Sequence, residues 1–265
     1  MSTSSPSSTA LRWAGLLWFA VTAVGQAAFI GFILAFYGVR TITGNFPGWN
    51  DKPLIDGYVK GDDLGNFVFA AHVLLASVVT LCGLMQLVPV LRRRWPRLHR
   101  WTGRTFLALA MFMALSGAWL AVVRGTYLSL VSAAAILINA LLILAFAALA
   151  WRLALERRFE RHRLWALRTF MVVSGVWFLR VGLMGWIVVN RGPVGMTDDM
   201  SGPADVVLTF GSYLAPLALL ELHGLAERSA DGALKIATAA VVTAASAFMA
   251  LGVFGTIAFL WGPYL

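Results

Sequence analysis

Two ionisable side chains, His72 and Arg180, lie inside long apolar stretches of the sequence. Ionisable groups are costly in the hydrocarbon of a bilayer and usually mark a functional site there. Arginine keeps its charge in such a place, so it needs an anion or several carbonyl oxygens as partners. The carboxylates nearest in predicted depth, Asp63 and Asp205, fall at the outer surface. The counter-ion of Arg180 is therefore either one of these aspartates dipping inward or a ligand.

The chemistry open to Arg180 and His72 differs with the ligand. Arg180 suits a haem propionate, a quinone oxygen, a lipid phosphate or a transported anion, and the structural alternative is an arginine satisfied by helix-end carbonyls and water. His72 can bind a haem iron, carry a proton or contact a quinone, or it can simply hydrogen-bond another helix. Gln86 is a third ligand-binding candidate, although hydrogen bonding between helices is the favoured interpretation for it and for Asn139.

The other histidines, His99, His162 and His223, all lie at the same predicted end of the apolar stretches. Haem b in a helical membrane protein is held by one histidine from each of two helices, so two of these three are candidate ligands for a single haem. A second haem near His72 would lack its other axial ligand. His99 and His162 also stand among arginines, where contact with lipid headgroups explains them equally well.

Metal and retinal chemistry find little support in the sequence. Glu221, His223 and Glu227 form the one carboxylate–histidine cluster, and a pair within one helix is favoured over a metal site. A retinal protein needs a lysine in mid-membrane for its Schiff base. The lysines fall instead in loops or at a span edge, at Lys52, Lys60 and Lys235.

The composition shows which elements must position these residues. Of the 265 residues, 60% are hydrophobic and 12% are charged, whereas a soluble domain carries about a quarter charged residues. A helix needs about 20 mostly apolar residues to cross a bilayer. The sequence predicts an all-α fold, a single seven-helix transmembrane domain over 12–265 that follows a disordered tail at 1–11. The predicted spans are 13–37, 66–90, 105–123, 128–150, 167–189, 205–224 and 236–260.

Charge orients the predicted bundle. Most of the 21 Lys and Arg residues cluster in the segments 91–104 and 151–168 and at other loops of the same side, which the positive-inside rule makes cytoplasmic. We therefore expect a cytoplasmic N-terminus, an external C-terminus and no nucleic-acid partner. Arginines beside helix ends contact anionic headgroups, each contributing about 1 kcal/mol. The predicted headgroup contacts are Arg92, Arg93, Arg94, Arg100, Arg104, Arg161, Arg163 and Arg168, and the predicted tryptophan anchors are Trp101, Trp151, Trp165, Trp186 and Trp261.

Two junctions between the basic segments and the spans resemble each other. Residues 99–106 read His-Arg, an aromatic residue and then Arg-Thr-Phe, and residues 162–170 repeat this order. The similarity predicts that spans two and three and spans four and five are a duplicated helical pair, an arrangement that places sites between repeats in membrane carriers. The alternative is two ordinary basic junctions at the membrane surface.

A longer pattern links these residues to a known family. It consists of His72, Gly83, Gln86, Arg92, Pro96, His99-Arg100 and Gly103-Arg104, followed by Arg161-His162-Arg163, Trp165, Arg168 and Arg180. This pattern resembles the bacterial family of predicted membrane proteins catalogued as domain of unknown function 2306, over about 66–190. The resemblance implies a multi-pass protein of the bacterial cytoplasmic (inner) membrane, and it supplies no catalytic residues.

The residues favour one function over two others. We expect a pocket in the external half of the membrane, lined by His72 and Arg180 and roofed by the loop 38–65, that binds or carries an anionic or redox-active lipophilic ligand. The second interpretation is a membrane oxidoreductase with haem b as its cofactor. The third is an assembly or structural factor that binds other membrane proteins through spans rich in small residues.

Overall fold

The computed structural model describes residues 5–52 and 55–265, and within these residues every regular element is a helix. Residues 1–4 of the predicted tail lie outside the described residues. The first helix already begins at Pro6, because the side chain of Ser5 caps it by accepting a hydrogen bond from the Ser8 amide. The α-helices are α1 (Pro6–Phe32), α2 (Val39–Ile42), α3 (Asp63–Gln86), α4 (Pro89–Arg94), α5 (Pro96–Val122), α6 (Leu130–Leu155), α7 (Phe159–Val173), α8 (Gly175–Asn190), α9 (Pro203–Arg228) and α10 (Gly232–Gly255).

Six helical segments are each long and apolar enough to cross a membrane, and α7 with α8 is a seventh if the bent pair forms one span. This confirms the predicted all-helical architecture and the number of spans. The fifth span departs from the prediction of one continuous helix, since α7 and α8 are bent by 51° about Ser174. A Ser–Gly pair at 174–175 explains the bend, because such pairs are common points of sharp kinking.

The helices close into a ring. Each of α1, α3, α5, α6 and α7 packs on the next of these in the chain, α7 packs on α9, α9 on α8, α8 on α10, and α10 returns to α1. Glycine allows the closest of these approaches, since a Cβ added to Gly252 of α10 would lie 2.1 Å from the carbonyl oxygen of Val181 in α8. The tight α8–α10 contact fixes the position of Arg180, one residue before Val181.

Two π-helical segments lie where the first and last spans continue beyond their α-helices. Ile33–Gly38 extends α1, and Thr256–Trp261 extends α10. Trp261 is 2% exposed and stacks on Phe29 and Phe32 at centroid distances of 5.5 and 5.3 Å. The prediction that Trp261 anchors the bundle to the lipid surface is therefore wrong, because aromatic packing inside the bundle buries it. π segments occur often at functional sites.

The loop between α2 and α3 folds onto one end of the bundle. Trp49 is buried against Phe69 of α3, with ring centroids 5.7 Å apart. Arg124, just after α5, donates to Asp62 at 2.9 Å and to the carbonyl oxygen of Gly57 at 3.2 Å. These contacts hold described parts of the loop over the ends of α3 and α5. We call this end of the bundle the loop end, and the opposite end, which carries residues 91–104 and 151–168, the arginine-rich end.

At the arginine-rich end the two similar junctions form similar structures. The guanidinium of Arg104 lies over the ring of Trp101, and that of Arg168 lies over the ring of Trp165, at 5.2 and 4.5 Å from the ring centroids. The phenylalanine that ends each pattern is buried, and both phenylalanine rings face Gly83, where an added Cβ would lie 3.0 and 3.2 Å from them. The two junctions are equivalent in local geometry, and their common origin stays a prediction.

Candidate functional site

His72 and Arg180 both lie in the half of the bundle nearer the loop end. His72 lies nine residues from the start of α3 at Asp63, and Arg180 lies ten residues from the end of α8 at Asn190. At the helical rise per residue these positions are about 14 and about 15 Å from the helix ends. The two side chains are close enough for the charge of Arg180 to act on the imidazole of His72. The helices thus place at a similar depth, and within electrostatic range of each other, the two residues that the sequence singles out.

The hydrogen bonds of His72 fix which ring nitrogen is free. The Nδ1 atom lies 2.8 Å from the Ser116 hydroxyl, and that hydroxyl donates to the carbonyl oxygen of Phe112, also at 2.8 Å. Because a serine has a single hydroxyl hydrogen, Ser116 accepts from Nδ1–H of His72. Nε2 therefore carries a lone pair, and it makes no hydrogen bond within the described part of the chain. Gly117 makes room for the ring, since a Cβ there would lie 3.2 Å from Cε1.

Arg180 uses little of its hydrogen-bonding capacity. One guanidinium nitrogen donates to the carbonyl oxygen of Val176 at 2.9 Å, and the guanidinium carbon lies 5.6 Å from the ring centroid of Phe29. A guanidinium has five N–H groups. Among the residues that the structure describes, no carboxylate lies within salt-bridge distance of Arg180. Apart from the contact of the guanidinium with the Phe29 ring, its charge thus has no carboxylate partner, and most of its donors have no acceptor, within the described chain.

Lys52 is a second cation within electrostatic range of Arg180, while Asp51 and Asp62 of the same loop have partners of their own. The charge of Arg180 acts on Tyr37 and also on Lys52. Burial, reinforced by that charge, lowers the pKa of Lys52 from 10.5 to about 8. Asp51 pairs with Arg40 at 3.0 Å, whereas Asp62 pairs with Arg124 as described above. The site therefore has an excess of positive charge at neutral pH.

Gln86 does not share this site. It lies fourteen residues beyond His72 in α3, which is about 21 Å along the helix toward the arginine-rich end. There its amide nitrogen donates to the Thr102 hydroxyl at 2.7 Å and to the His99 carbonyl oxygen at 3.3 Å. These bonds join α3 to α5, which agrees with the favoured interpretation of Gln86 as a link between helices.

The three remaining histidines lie toward the arginine-rich end, and two of them are neighbours. His99 of α5 and His162 of α7 lie within electrostatic range of each other. Nδ1 of His162 donates to the carbonyl oxygen of Ala150 at 2.8 Å, which leaves Nε2 with its lone pair. His223 packs against Gly15 of α1, and its buried Nε2 has no hydrogen-bond partner among the residues that the structure describes. No group of three or more His, Cys, Asp or Glu side chains suited to a metal ion exists among the described residues.

Arg168 differs from the other arginines predicted to contact headgroups. Its guanidinium donates to both carboxylate oxygens of Glu221, at 2.6 and 3.0 Å, and so joins α7 to α9. The remaining seven are exposed and have no carboxylate partner within the described chain, so contact with headgroups stays a prediction for them. These are Arg92, Arg93, Arg94, Arg100, Arg104, Arg161 and Arg163.

Sequence reasoning did not identify two residues that adjoin the site. Tyr37 stands in an apolar stretch and Lys52 in a loop, so neither is set apart by type or spacing. The only available signal for Lys52 was the expectation that its loop covers the bundle.

Two surface grooves also occur in the described part of the chain. One is lined by Met111 and Trp151 among other residues, and the other by Leu91 and Leu98. Both lie toward the arginine-rich end, far from Arg180.

Comparison with known proteins identifies a family to which this chain is similar. A family described as "Predicted membrane protein (DUF2306)" matches residues 69–222, which include His72 and Arg180 and reach from α3 into α9. No curated protein and no solved structure matches the chain. The match covers more than half of the sequence and extends beyond the 66–190 pattern noted above. The chain therefore belongs to the DUF2306 family of predicted membrane proteins.

Proposed function

We propose that this protein binds an anionic lipophilic ligand at Arg180, in the external half of a bacterial inner membrane, with its N-terminus in the cytoplasm. The observation that carries the proposal is the charge of Arg180, which has no carboxylate partner among the described residues. An arginine fixed at this depth is costly unless an anion compensates it. A planar guanidinium suits the paired oxygens of a carboxylate or a phosphate.

The surroundings of Arg180 favour a ligand with both charge and apolar surface. Lys52 adds a second cation toward the loop end, whereas Phe29 offers an aromatic face beside the guanidinium. The depth of about 15 Å from the end of α8 lies well inside the hydrocarbon region. An amphiphilic anion satisfies both conditions, since its headgroup can pair with Arg180 while its apolar part stays among the helices.

His72 supplies the hydrogen-bond acceptor of the site. Its Nδ1–H is held by Ser116, so Nε2 can accept a hydrogen bond from a hydroxyl of the ligand. His72 therefore favours a ligand whose headgroup carries a hydroxyl.

Ligand-dependent thermal stabilisation of the purified protein tests the proposal, with oleate and phosphatidylglycerol as the carboxylate and phosphate probes. A ligand at about 100 times its dissociation constant stabilises the folded state by about 2.7 kcal/mol. We expect at least one probe to raise the unfolding temperature of the parent and of Arg104→Gln, an exposed arginine at the other end. Arg180→Gln should lose this shift. An unchanged shift in Arg180→Gln would rule the proposal out.

A second candidate, haem b binding at the arginine-rich end, rests on the hydrogen bond that orients His162 and on the electrostatic proximity of His99 to it. The imidazoles come from two helices, and the Nδ1 bond of His162 orients its Nε2 as in haem ligands. An absorption spectrum of protein from haem-supplied cells, oxidised and then reduced with dithionite, decides this candidate. A Soret band lost in His162→Ala supports haem, and a flat spectrum of the parent rejects it.

A further inference from the structure

The break between α7 and α8 lies at the middle of the fifth span. Fifteen helical residues precede Ser174 and sixteen follow it, and the two helices meet at 51°. Inside a bilayer, a break in a helix is tolerated where protein or a water-lined cavity satisfies the backbone. In membrane carriers, helices broken at this depth form ligand sites, because the positive end of the second half-helix points at anions.

Polar side chains from three other helices surround this break. Gln26 of α1 donates through Nε2 to the Ser174 hydroxyl at 3.0 Å. On the other side, a Cβ added to Gly175 would lie 3.1 Å from Nδ2 of Asn139 in α6 and 3.2 Å from Cβ of Tyr213 in α9. We call Gln26, Asn139, Ser174 and Tyr213 the break cluster. It contains no charged residue.

Three members of the break cluster keep buried polar atoms without a hydrogen-bond partner among the described residues. These atoms are Oε1 of Gln26, Oδ1 of Asn139 and the hydroxyl of Tyr213. Gln26 is only 1% exposed and Tyr213 only 2% exposed. Leaving such an atom unpaired is unfavourable, and proteins normally satisfy it with ordered water or a ligand. Unpaired amide oxygens on Gln26 and Asn139 and an unpaired hydroxyl on Tyr213 suit water or the polar group of a hydrated headgroup.

The break cluster lies between two charged levels of the same span. Arg168, Ser174 and Arg180 follow at intervals of six residues, so each step is about 9 Å along the helices. The Arg168–Glu221 pair marks the level toward the arginine-rich end, and Arg180 marks the level toward the loop end. Polar groups therefore occur at three successive depths across the membrane, joined by α7 and α8.

We propose that the break cluster is a hydrated intermediate site through which the anionic headgroup held at Arg180 passes toward the arginine-rich end, so that the protein moves its ligand across the bilayer. This inference rests on the proposed function at Arg180 and adds translocation to it. The N-terminus of α8 and the Tyr213 hydroxyl supply donors for the passing anion. The shared chemistry is a phosphate group, carried by a lipid or free in water.

Proteoliposomes containing the full chain test the inference in two arms. One arm follows fluorescent NBD-phosphatidylglycerol, whose movement between leaflets is read by quenching with dithionite. The other follows release of radiolabelled inorganic phosphate from loaded vesicles. We expect flux in one arm, and that arm identifies the source of the phosphate. Tyr213→Phe and Gln26→Leu should lower this flux by about tenfold or more, equivalent to about 1.4 kcal/mol in the barrier.

A matched control and a stability measurement separate transport from folding. Thr238 of α10 also buries an unpartnered hydroxyl and is 1% exposed, so Thr238→Val should keep the parental flux. Tyr213→Phe should unfold at the parental temperature or above it, because it removes an unpaired polar group, and it should keep the stabilisation by phosphatidylglycerol.

Three results overturn the inference while leaving the proposed function intact, provided that Arg180-dependent stabilisation persists. These are parental flux in both break-cluster variants, equal loss of flux in Thr238→Val, and no flux above protein-free vesicles for either probe. Loss of Arg180-dependent stabilisation itself would instead count against the proposed function.

Discussion

Arg180 and His72 each make one hydrogen bond that leaves other polar groups of the side chain available to a ligand. Arg180 donates one N–H to a carbonyl oxygen one turn earlier, and His72 donates Nδ1–H to Ser116. Both residues could be predicted from the sequence, because a charge or an imidazole in an apolar stretch is conspicuous. Their juxtaposition could not, since it depends on how α8 packs against α10 and α1. The missed neighbour Lys52 depends on the fold of a loop.

The Nε2 lone pair of His72 gives a prediction at the scale of one residue. We expect His72→Leu to weaken the binding of the ligand at Arg180 by about 0.5–1.5 kcal/mol, the value of a hydrogen bond between neutral groups. His72→Gln, which keeps an acceptor, should retain more of the affinity. Titration of thermal stabilisation with the active probe measures both variants. Equal affinities for parent and His72→Leu would exclude contact between His72 and the ligand.

The lowered pKa of Lys52 predicts how binding depends on pH. With a pKa of about 8, Lys52 is charged at pH 7 and neutral at pH 9, so an anion should bind more weakly at the higher pH. We expect a loss of about fivefold, corresponding to about 1 kcal/mol of charge interaction. The other described charges here are Arg180 and the Arg40–Asp51 pair.

Variants of Lys52 separate its titration from that of the ligand. Lys52→Met should bind weakly at both pH values, and Lys52→Arg tightly at both. The pH profile of a probe with no ionisation between pH 7 and 9, phosphatidylglycerol, is the measurement. A parental pH dependence in Lys52→Met would assign the effect to another group.

At the scale of the helices, hydropathy predicts the spans and misses the bend. A count of apolar residues runs through 167–189 without interruption, although the Ser–Gly pair that bends it is visible in the sequence. The break cluster at this bend could not be predicted from the sequence either. It includes Gln26, Asn139 and Tyr213, which come from helices that are distant along the chain. Asn139 was interpreted as a link between helices, yet its buried Oδ1 has no partner among the described residues.

The close contact of α8 with α10 gives a prediction at the scale of these helices. Gly252→Ala would place a Cβ 2.1 Å from the carbonyl oxygen of Val181, so α8 must move. We expect overpacking to cost about 1–3 kcal/mol and to weaken binding at Arg180. Gly31→Ala is the matched control, because its Cβ would meet nothing within 4 Å. Thermal unfolding in detergent compares the two, and equal stability would contradict the close contact.

For the whole molecule, the arrangement of charge predicts the orientation in the membrane. Eleven exposed arginines of the segments 91–104 and 151–168 crowd one end, and in the loop that covers the other end Asp51 and Asp62 form ion pairs. In a Cys82→Ser background, a membrane-impermeant maleimide added to intact spheroplasts should label Asp56→Cys and spare Arg97→Cys. Labelling should reverse in inverted vesicles. The opposite pattern would place Arg180 in the cytoplasmic half and reverse the proposed direction of the site.

The central claim is that Arg180 holds an anion inside the bundle, and identification of the molecules that co-purify with the protein tests it most directly. The parent and Arg180→Gln would be purified in parallel in a mild detergent and examined by native mass spectrometry, followed by extraction of the bound molecules. We predict an anionic amphiphile at about one per protein in the parent and its depletion in the variant. The same bound anion at the same level in both proteins would contradict the claim.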